Sequence, residues 1–494
     1  MSIWIVCIGL TLASALNPGF RLRVTQDGIN YANKVAGEAI AEDIQNTRLD
    51  EVNGEKLGIQ FKLYELIVRK SKAPKSTLSL ATKSDLEWKG TEIEVEIDGK
   101  FQYTSKLLSG SGSFTLIVSG TSFSVGIRLG SDAGGKPTIK TDACSCAIGK
   151  MKIKFDGKHA WLYNFVSGLF ENLISRKTET MVCEKVQDLI NKEAEKALCS
   201  LKVQISLSQF YTLDYRLLST PTVTSEYIEG DMKGEVFWTK DMTEAPFNPP
   251  EMTTIVDNNK MVYLTLSDYI FNTFTYQAYK HDMLVYNLTS NNIKTKKDIL
   301  NTSCNNDCIG NMIPQIGLTY PYSQVEMHMR STEPPVTSIS QEAVTVLTAG
   351  NVTLYVRTLD NNLHYLFRVY AMLVTTVKIK IKEQTLFSNI ESMEVKTNIT
   401  NSSLGELNGT AIQLAAERVI KEVIKPTING YLTVDGLPLP STDNLEYKDS
   451  DLKLFQNTIL VETNLKYIPP LKKRKSTIFK FKPKERTFPA LFNV

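Results

Sequence analysis

Disulfide formation is the clearest chemistry that the residue types offer. Seven cysteines are present, and six remain if the segment around Cys7 is removed as a signal peptide, an even number that suits an oxidising compartment. Cys304 and Cys308 flank Asn-Asn-Asp in a polar stretch with no histidine close by in the sequence. We therefore expect a bridge that pins a short turn there, in preference to a metal site.

The other four cysteines are Cys144, Cys146, Cys183 and Cys199, and they allow three pairings. If residues 183 to 199 form one continuous helix, the last two lie roughly 24 Å apart, whereas the first two lie within about 7 Å of each other. One bridge between this strand and this helix forms easily, and two would require a bend. The spacing alone leaves the pairing open.

Catalytic motifs are missing from the sequence. It contains no Gly-x-Ser-x-Gly, no His-Glu-x-x-His and no phosphate-binding glycine loop. The four histidines are scattered among neighbours that form no motif: His159, His281, His328 and His364. We predict a protein that is not an enzyme and has no metal and no cofactor, with an esterase of unusual site as the weaker alternative.

The N-terminus and the glycosylation sequons both indicate export. An apolar run from Ile3 to Leu12 precedes Ala13-Ser-Ala15, which predicts a signal peptide cleaved after Ala15. The alternative, a membrane anchor, is too short to span about 30 Å of bilayer. Six Asn-x-Ser/Thr sequons add support: Asn287, Asn301, Asn351, Asn398, Asn401 and Asn408. We predict a secreted glycoprotein whose first half carries no sequon.

Length and composition indicate two folded domains in a soluble chain. A length of 494 residues exceeds what one core usually organises, and the formal net charge of +3 gives little attraction to a polyanion such as nucleic acid. Three prolines in residues 240–252 predict a linker. The predicted parts are a signal peptide (1–15), two domains (16–239 and 253–467) separated by the linker, and a basic tail (468–494).

Apolar residues at steps of three and four predict four helices. Thr25-Gln-Asp and Ser267 are start signals, the second helix runs from His159 to about Leu198, and Pro426 is expected to stop a helix from about Ala411 to Val423. The apolar faces, helix by helix, are Ile29, Ala32, Ala36 and Ile40; Phe165, Leu169 and Leu173; Ile270 and Phe274; and Val419, Ile420 and Val423. Such faces pack against a core and equally contact a ligand, and we expect both.

Alternation with a period of two predicts strands between the helices. It is clearest in Thr91 to Lys100, in Met151 to Phe155 and in Val377 to Ile381. Glycine-rich breaks separate the runs of the first half into a long antiparallel meander with one buried face. Because both halves share the order strand, helix, meander, helix, strand, we predict a duplicated domain.

The chain resembles the bactericidal/permeability-increasing protein family, which includes lipopolysaccharide-binding protein and the plasma cholesteryl ester and phospholipid transfer proteins. The segments that carry the resemblance are Asn17-Pro-Gly-Phe with Tyr31-Ala, Leu129-Gly-Ser followed by Gly135-Lys-Pro-Thr-Ile, Val182-Cys-Glu-Lys-Val, Met261-Val-Tyr-Leu-Thr-Leu-Ser-Asp-Tyr-Ile-Phe-Asn-Thr, and Gly436-Leu-Pro-Leu-Pro. The resemblance implies an α+β boomerang of two elongated antiparallel β-barrel domains, each with two long helices, joined by a central sheet. It also supports a Cys144–Cys183 disulfide and leaves Cys146 and Cys199 unassigned.

The function that this resemblance implies is lipid binding. We predict a secreted monomer that holds phospholipid or another acyl lipid against the helix faces of two apolar pockets, for lipid carriage or transfer. The alternative is an innate-immunity protein that recognises lipopolysaccharide or an anionic membrane surface. The tip stretch after Gly99 retains only Lys100 and Lys106, whereas the run from Arg69 to Lys75 and the basic tail could compensate or be solvated.

Overall fold

The structure is a computed structural model, and the residues that it describes begin at Asn17 and end at Ile468. Within that range the described residues exclude 45–47, 57, 73–74, 82–83, 107–108, 157–178, 181, 294–295, 306, 433–435 and 441–444. The predicted signal peptide and almost all of the basic tail lie outside the described residues.

The described residues of the first half form fourteen strands. They are β1 (Phe20–Thr25), β2 (Arg48–Leu49), β3 (Val52–Lys56), β4 (Ile59–Lys72), β5 (Lys75–Leu80), β6 (Leu86–Thr104), β7 (Ser109–Ser131), β8 (Pro137–Ala147), β9 (Lys150–Asp156), β10 (Gln204–Ser206), β11 (Tyr211–Asp214), β12 (Thr222–Val223), β13 (Tyr227–Met232) and β14 (Glu235–Trp238). The second half adds β15 (Val262–Ser267), β16 (Val285–Leu288), β17 (Gln324–Ser331), β18 (Val336–Ile339), β19 (Val344–Arg357), β20 (Leu363–Lys382), β21 (Thr385–Ser402), β22 (Leu437–Pro438), β23 (Leu445–Phe455) and β24 (Thr458–Tyr467).

Seven α-helices with defined bounds, a further helical stretch at 182–188 and three short helical turns accompany these strands in the described residues. The α-helices are α1 (Gln26–Ile44), α2 (Glu195–Cys199), α3 (Tyr269–Lys280), α4 (Ile309–Met312), α5 (Pro314–Thr319), α6 (Gly409–Val419) and α7 (Lys425–Leu432). Helical residues 182–188 and a π turn, Leu189–Ala194, lead into α2, and a second π turn, Ile420–Ile424, joins α6 to α7. A 3-10 turn, Lys297–Leu300, precedes α4.

A central antiparallel sheet is built from both halves of the chain. Its order is β12-β13-β1-β15-β24-β23, so that the first strand of the chain pairs with the first strand of the second half. Phe20 lies opposite Leu266 and Leu264 lies opposite Val461, and all four side chains are fully buried on one face. The other face is mixed, with the buried Arg23 and Thr265 beside Tyr263 and Leu460. The two halves therefore share one core.

Each half contributes one large curved sheet. The first contains β2 to β9, dominated by β4, β6 and β7, and the second contains β16 to β22, dominated by β19, β20 and β21. Within the long strands buried residues alternate with exposed ones, as the period-two pattern predicts. Helix α1 lies against β5, and the α6–α7 helix lies across β21. This is the predicted boomerang of two strand-rich domains joined by a central sheet.

The expectation that Pro426 stops the last helix is wrong. The helix continues through α7 to Leu432. A π turn stands directly before the proline, and the Lys425 amide donates to the carbonyl of Ile420, five residues back. A wide turn shifts the preceding carbonyls away from the proline ring, which removes the clash that usually ends a helix. The helix of the first half has a π turn at the corresponding place, where Glu195 donates to Ile190.

No helix among the described residues is both long enough and apolar enough to cross a membrane.

Candidate functional site

An apolar cavity lies against the inner face of the second sheet. Its volume is about 120 Å³, and it is bounded by β17, β19, β20 and β21, by α4 with the residue that follows it, and by the α6–α7 helix. The lining residues are Ile309, Ile313, Met327, Met329, Val352, Leu354, Phe367, Val369, Ala371, Leu373, Val395, Thr397, Ile412, Ala415, Ala416, Val419, Ile420 and Ile424. An apolar cavity of this kind excludes water and accepts apolar guests.

The single polar residue in the described lining, Thr397, already donates its hydroxyl hydrogen to a protein group. The Thr397 hydroxyl donates to Oε1 of Gln413 at 2.9 Å, and the Thr397 amide donates to the same oxygen at 3.0 Å. The Gln413 amide nitrogen donates in turn to the carbonyl of Val395. Because these donors are already paired and the rest of the described wall is apolar, the cavity favours hydrocarbon over a polar head group.

Three of the predicted pocket residues belong to this site. Val419 and Ile420 line the cavity, and Val423 is buried in the same hydrophobic cluster. Helix α6 is fixed at its start by Asn408, whose side-chain oxygen accepts the amides of Thr410 and Ala411. The structure thus brings these three residues together at one cavity, and their contact with lipid stays a prediction.

Two other predicted pocket residues do not line the cavity. Ile270, which is 2% exposed, packs in the core beneath the central sheet, and Phe274 contacts Tyr211 of the first half with ring centroids 4.7 Å apart. Helix α3 is held there because the Val236 amide donates to the Thr273 hydroxyl at 3.0 Å. Its apolar face therefore joins the two halves and does not contact the cavity in the second sheet.

The pocket predicted for the first half is described only in part. Ile29 is buried with Trp88, Phe123 and Val125, whereas Ala32 is exposed. The predicted residues Phe165, Leu169 and Leu173, and the side chains of Ala36 and Ile40, lie outside what the structure describes. The first-half pocket stays a prediction.

Sequence reasoning missed the cavity residues that come from α4 and from β17. Ile309 and Ile313 belong to or follow α4, a helix of four residues that is too short to produce a periodic pattern. Met327 and Met329 alternate on β17 with His328 and Arg330. That alternation was a usable signal for a buried face, although nothing in it distinguishes a core from a cavity.

Two disulfides stabilise the elements around these cores. Cys144 on β8 is bonded to Cys183 on the helix that leads into α2, and Cys304 is bonded to Cys308. Cys146 and Cys199 carry free thiols. Burial, with a smaller contribution from the carboxylate of Glu179, raises the pKa of Cys146 to about 11, and a hydrogen bond to Glu195 raises the pKa of Cys199. Both thiols are therefore weak nucleophiles at neutral pH.

Four of the six sequon asparagines lie on the outer face of the second sheet. One cross-strand row runs through Asn287, His328, Thr353, Arg368 and Asn401, and a neighbouring row runs through Arg330, Asn351, Tyr370 and Asn398. Cavity residues such as Met327 and Leu354 occupy the intervening positions and point to the inner face. Glycans on these asparagines would therefore cover the side of the sheet opposite the cavity.

The described cations of the basic run lie on strands and are paired. Arg69, Lys70 and Lys72 end β4, Lys75 begins β5, and all four form ion pairs with acids on β6. The pairs are Arg69–Asp98 at 2.8 Å, Lys70–Glu96 at 3.3 Å, Lys72–Glu94 at 4.0 Å and Lys75–Glu92 at 2.8 Å. Lys150, Lys152 and Lys154 on β9 are exposed and have no ion pair with any residue that the structure describes.

The fold places an apolar cavity against the inner face of a curved sheet, in a chain whose two halves are joined by a central sheet. The chain belongs to the LBP / BPI / CETP family, because the model of the family's N-terminal domain matches residues 28–192 and the model of its C-terminal domain matches residues 205–467. This confirms the family that the sequence motifs indicate, a family of lipid-binding proteins without enzymatic activity.

Individual relatives are distant but match over nearly the whole chain. A lipopolysaccharide-binding protein of Bos taurus is 22% identical over 92% of this chain and 95% of its own length. A bactericidal permeability-increasing protein of Sebastes schlegelii is 23% identical over 94% of this chain and 98% of its own. A crystal structure of lipopolysaccharide binding protein, 22% identical, superposes with a TM-score of 0.61 and covers 92% of this chain and 100% of that chain. The likeness confirms the boomerang fold.

Proposed function

We propose that this protein is secreted and carries phospholipid-like ligands, with their acyl chains in the cavity of the second sheet. The observation that supports the proposal most directly is the composition of the cavity wall, in which Thr397 is the sole polar residue and is already hydrogen bonded. Acyl chains are the biological groups that can occupy such a cavity without burying an unpaired polar atom. The head group would stay outside, and a full chain would require the α6–α7 helix to move away from the sheet.

We extend the proposal to a second pocket in the first half. The supporting features are the duplicated order of elements and the π turn that both halves place in the second helix. Export is supported by the N-terminal apolar run and by the sequons. Carriage, as opposed to permanent retention, would appear as exchange of the bound lipid.

The test combines lipid content with lipid exchange. Native mass spectrometry and lipid extraction on the secreted protein should detect about two phospholipids per chain, in line with one per pocket. Incubation with fluorescent phosphatidylcholine vesicles should replace them within minutes. A protein without lipid would contradict the proposal, and lipid that never exchanges would contradict carriage.

A pair of variants on one helix locates the lipid. Ala416 lines the cavity and Leu414, two positions earlier, is 58% exposed on the outer side of α6. Ala416→Trp should fill the cavity and remove one lipid per chain, whereas Leu414→Trp should leave the lipid content unchanged. Equal lipid content in both variants would mean that this cavity is not the binding site.

A second candidate function is recognition of lipopolysaccharide or another anionic glycolipid. It is favoured by the row of Lys150, Lys152 and Lys154 on β9, which lacks ion-pair partners among the described residues, and by relatives that are named as lipopolysaccharide-binding proteins. The ion-paired run on β4 and β5 argues for a weaker contribution from that surface.

Matched lysine pairs separate these two surfaces. Replacing Lys152 and Lys154 together by Gln should weaken binding to lipopolysaccharide, measured by surface plasmon resonance, and should reduce its salt dependence. Replacing Lys70 and Lys72 together by Gln is the control, because both are paired with glutamates. Equal losses would indicate a nonspecific charge effect, and no binding by the unmodified protein would remove the second candidate.

A further inference from the structure

Exposed apolar side chains are concentrated at one end of the second sheet. In the described part of the chain, Leu359 is 86% exposed, Leu318 is 83% exposed and Tyr322 is 75% exposed, and among large hydrophobic residues there only Val256 is as exposed. Single exposed hydrophobic residues are ordinary, whereas a group of them at one place marks an interaction surface. The fold brings these three side chains to the same end of the sheet.

The pairing of the strands places two of the three at one edge. Gln324 at the start of β17 pairs with Arg357 at the end of β19, and Arg357 pairs with Leu363 at the start of β20. Tyr322 precedes this row of paired residues by two positions and Leu359 follows it by two positions, so both lie beyond the end of the ladder. Leu363 itself is 41% exposed. All three apolar residues therefore share this end of the sheet.

Helix α5 brings Leu318 to the same end. Tyr320, which directly follows this helix, stacks on His364 of β20 with ring centroids 5.6 Å apart. Ile316 within the helix is fully buried, and a residue two positions later on a helix lies on the opposite side. Leu318 therefore points outward. We call Leu318, Tyr322, Leu359 and Leu363 the tip patch.

Hydrogen bonds hold the loops of the tip patch in place. The Thr358 amide donates to the carbonyl of Asn362 at 3.0 Å, which closes the hairpin that carries Leu359. The Tyr322 amide donates to the hydroxyl of Ser303 at 2.8 Å. The exposed side chains are therefore presented by ordered turns, which reduces the conformational entropy that binding would cost.

Charge favours an uncharged partner surface. Residues 314–323 contain no Lys, Arg, Asp or Glu, and residues 358–363 contain only Asp360. That carboxylate already accepts hydrogen bonds from the Thr358 hydroxyl and the Asn362 amide nitrogen. An acidic partner would thus meet no basic side chain in these segments. Leucines beside a tyrosine match the boundary between acyl chains and head groups, where apolar groups are buried and a phenol hydroxyl stays wet.

The tip patch adjoins the acyl-chain cavity. Ile309 of α4 and Ile313, which directly precedes α5, line that cavity. Ile316 of α5 packs in the same hydrophobic cluster as the cavity residues. The segment from α4 to α5 therefore has cavity residues on its inner side and Leu318 on its outer side.

We propose that the tip patch docks on the surface of a zwitterionic phospholipid bilayer, with its leucines among the acyl chains and the Tyr322 hydroxyl at the level of the head groups. The docked protein exchanges acyl chains with the bilayer at this end of the second sheet. The exchange step rests on the proposed function, whereas the docking step depends only on the exposed side chains.

Co-sedimentation of the full secreted chain with phosphatidylcholine vesicles tests the docking. The tip variant, Leu318→Ser with Leu359→Ser, should weaken vesicle binding by about a hundredfold, roughly tenfold for each leucine that no longer becomes buried. The matched control is Val336→Ser with Leu347→Ser, which removes two exposed apolar side chains that pair across β18 and the start of β19, away from the tip. The control variant should bind vesicles as the unmodified protein does.

Vesicle binding and lipid content are measured on the same samples, so that docking and carriage can fail separately. Because Asn301 forms a bridge with Gln324 at this end, the samples are tested with and without their N-glycans. If the chain holds no lipid but binds vesicles in either form, and the tip variant loses that binding, docking stands and carriage fails. Bound lipid without vesicle binding, or equal losses in the tip variant and its control, would overturn docking and leave carriage intact.

Sedimentation velocity excludes a different occupant of the tip patch. We expect the unmodified protein and the tip variant to sediment alike as monomers. A dimer that the tip variant converts into monomers, with vesicle binding unchanged, would show that a second copy of the chain covers the tip patch, and the proposal would be wrong.

Discussion

Helices α3 and α6 have similar apolar faces, but α3 packs in the core shared by the two halves and α6 lines a cavity. In α3, Ile270 and Phe274 pack against side chains of the central sheet and of the first half, including Tyr211. In α6, Val419 faces the second sheet across a cavity of about 120 Å³. Helical periodicity reports only that a face is buried. Whether the opposite wall closes completely depends on elements elsewhere in the chain.

Truncation in α3 should have the largest effect on stability. Ile270→Ala removes buried methyl groups from a filled core that joins the two halves, and the expected loss is about 2–5 kcal/mol in the free energy of unfolding. Lipid content per folded molecule should be unchanged, because the residue does not line the cavity. Denaturant unfolding followed by native mass spectrometry measures both quantities, and a loss of lipid without a loss of stability would contradict the comparison.

Truncation in α6 should cost less and depend on lipid. Val419→Ala removes two methyl groups from a wall that already borders empty space, so we expect a loss of about 1–2 kcal/mol in delipidated protein. Bound lipid should recover part of this loss, because the acyl chain can occupy the enlarged cavity. Parallel unfolding curves with and without lipid provide the measurement. Equal losses in both states would place Val419 in an ordinary core.

Local patterns predicted the elements well and their partners poorly. The alternation in Thr91 to Lys100 correctly indicated a strand with glutamates on its outer face. The pairing of those glutamates with the cations of β4 and β5 could not be read from the sequence, because it depends on the register between strands, which alternation within one strand does not fix. The Cys144–Cys183 bridge was favoured through family resemblance, since spacing left three pairings open.

The pairing within the central sheet was beyond sequence reasoning for the same cause. Thr265 on β15 lies opposite Leu460 on β24, although almost the whole second half separates the two residues in the chain. Pro426 misled in the opposite direction. The rule that a proline ends a helix predicted a stop at this residue. A π turn directly before the proline allows the helix to continue, and no residue type in the sequence predicts a π turn.

The smallest expected effect concerns the start of α6. Asn408 is both the cap of this helix and a sequon asparagine, and its side-chain oxygen accepts the amides of Thr410 and Ala411 at 2.9 and 3.2 Å. Asn408→Ala should lose about 1 kcal/mol of unfolding free energy, typical of a lost cap.

Two variants separate the cap from any attached glycan at this position. Asn408→Asp removes the sequon and retains a capping oxygen, and Thr410→Ala removes the sequon and retains Asn408 itself. If the cap is what matters, both should unfold close to the unmodified protein in denaturant, and only Asn408→Ala should be weaker. A loss shared by all three variants would mean that a glycan at Asn408 stabilises the helix that closes the cavity, which would link modification of the outer surface to the lipid site.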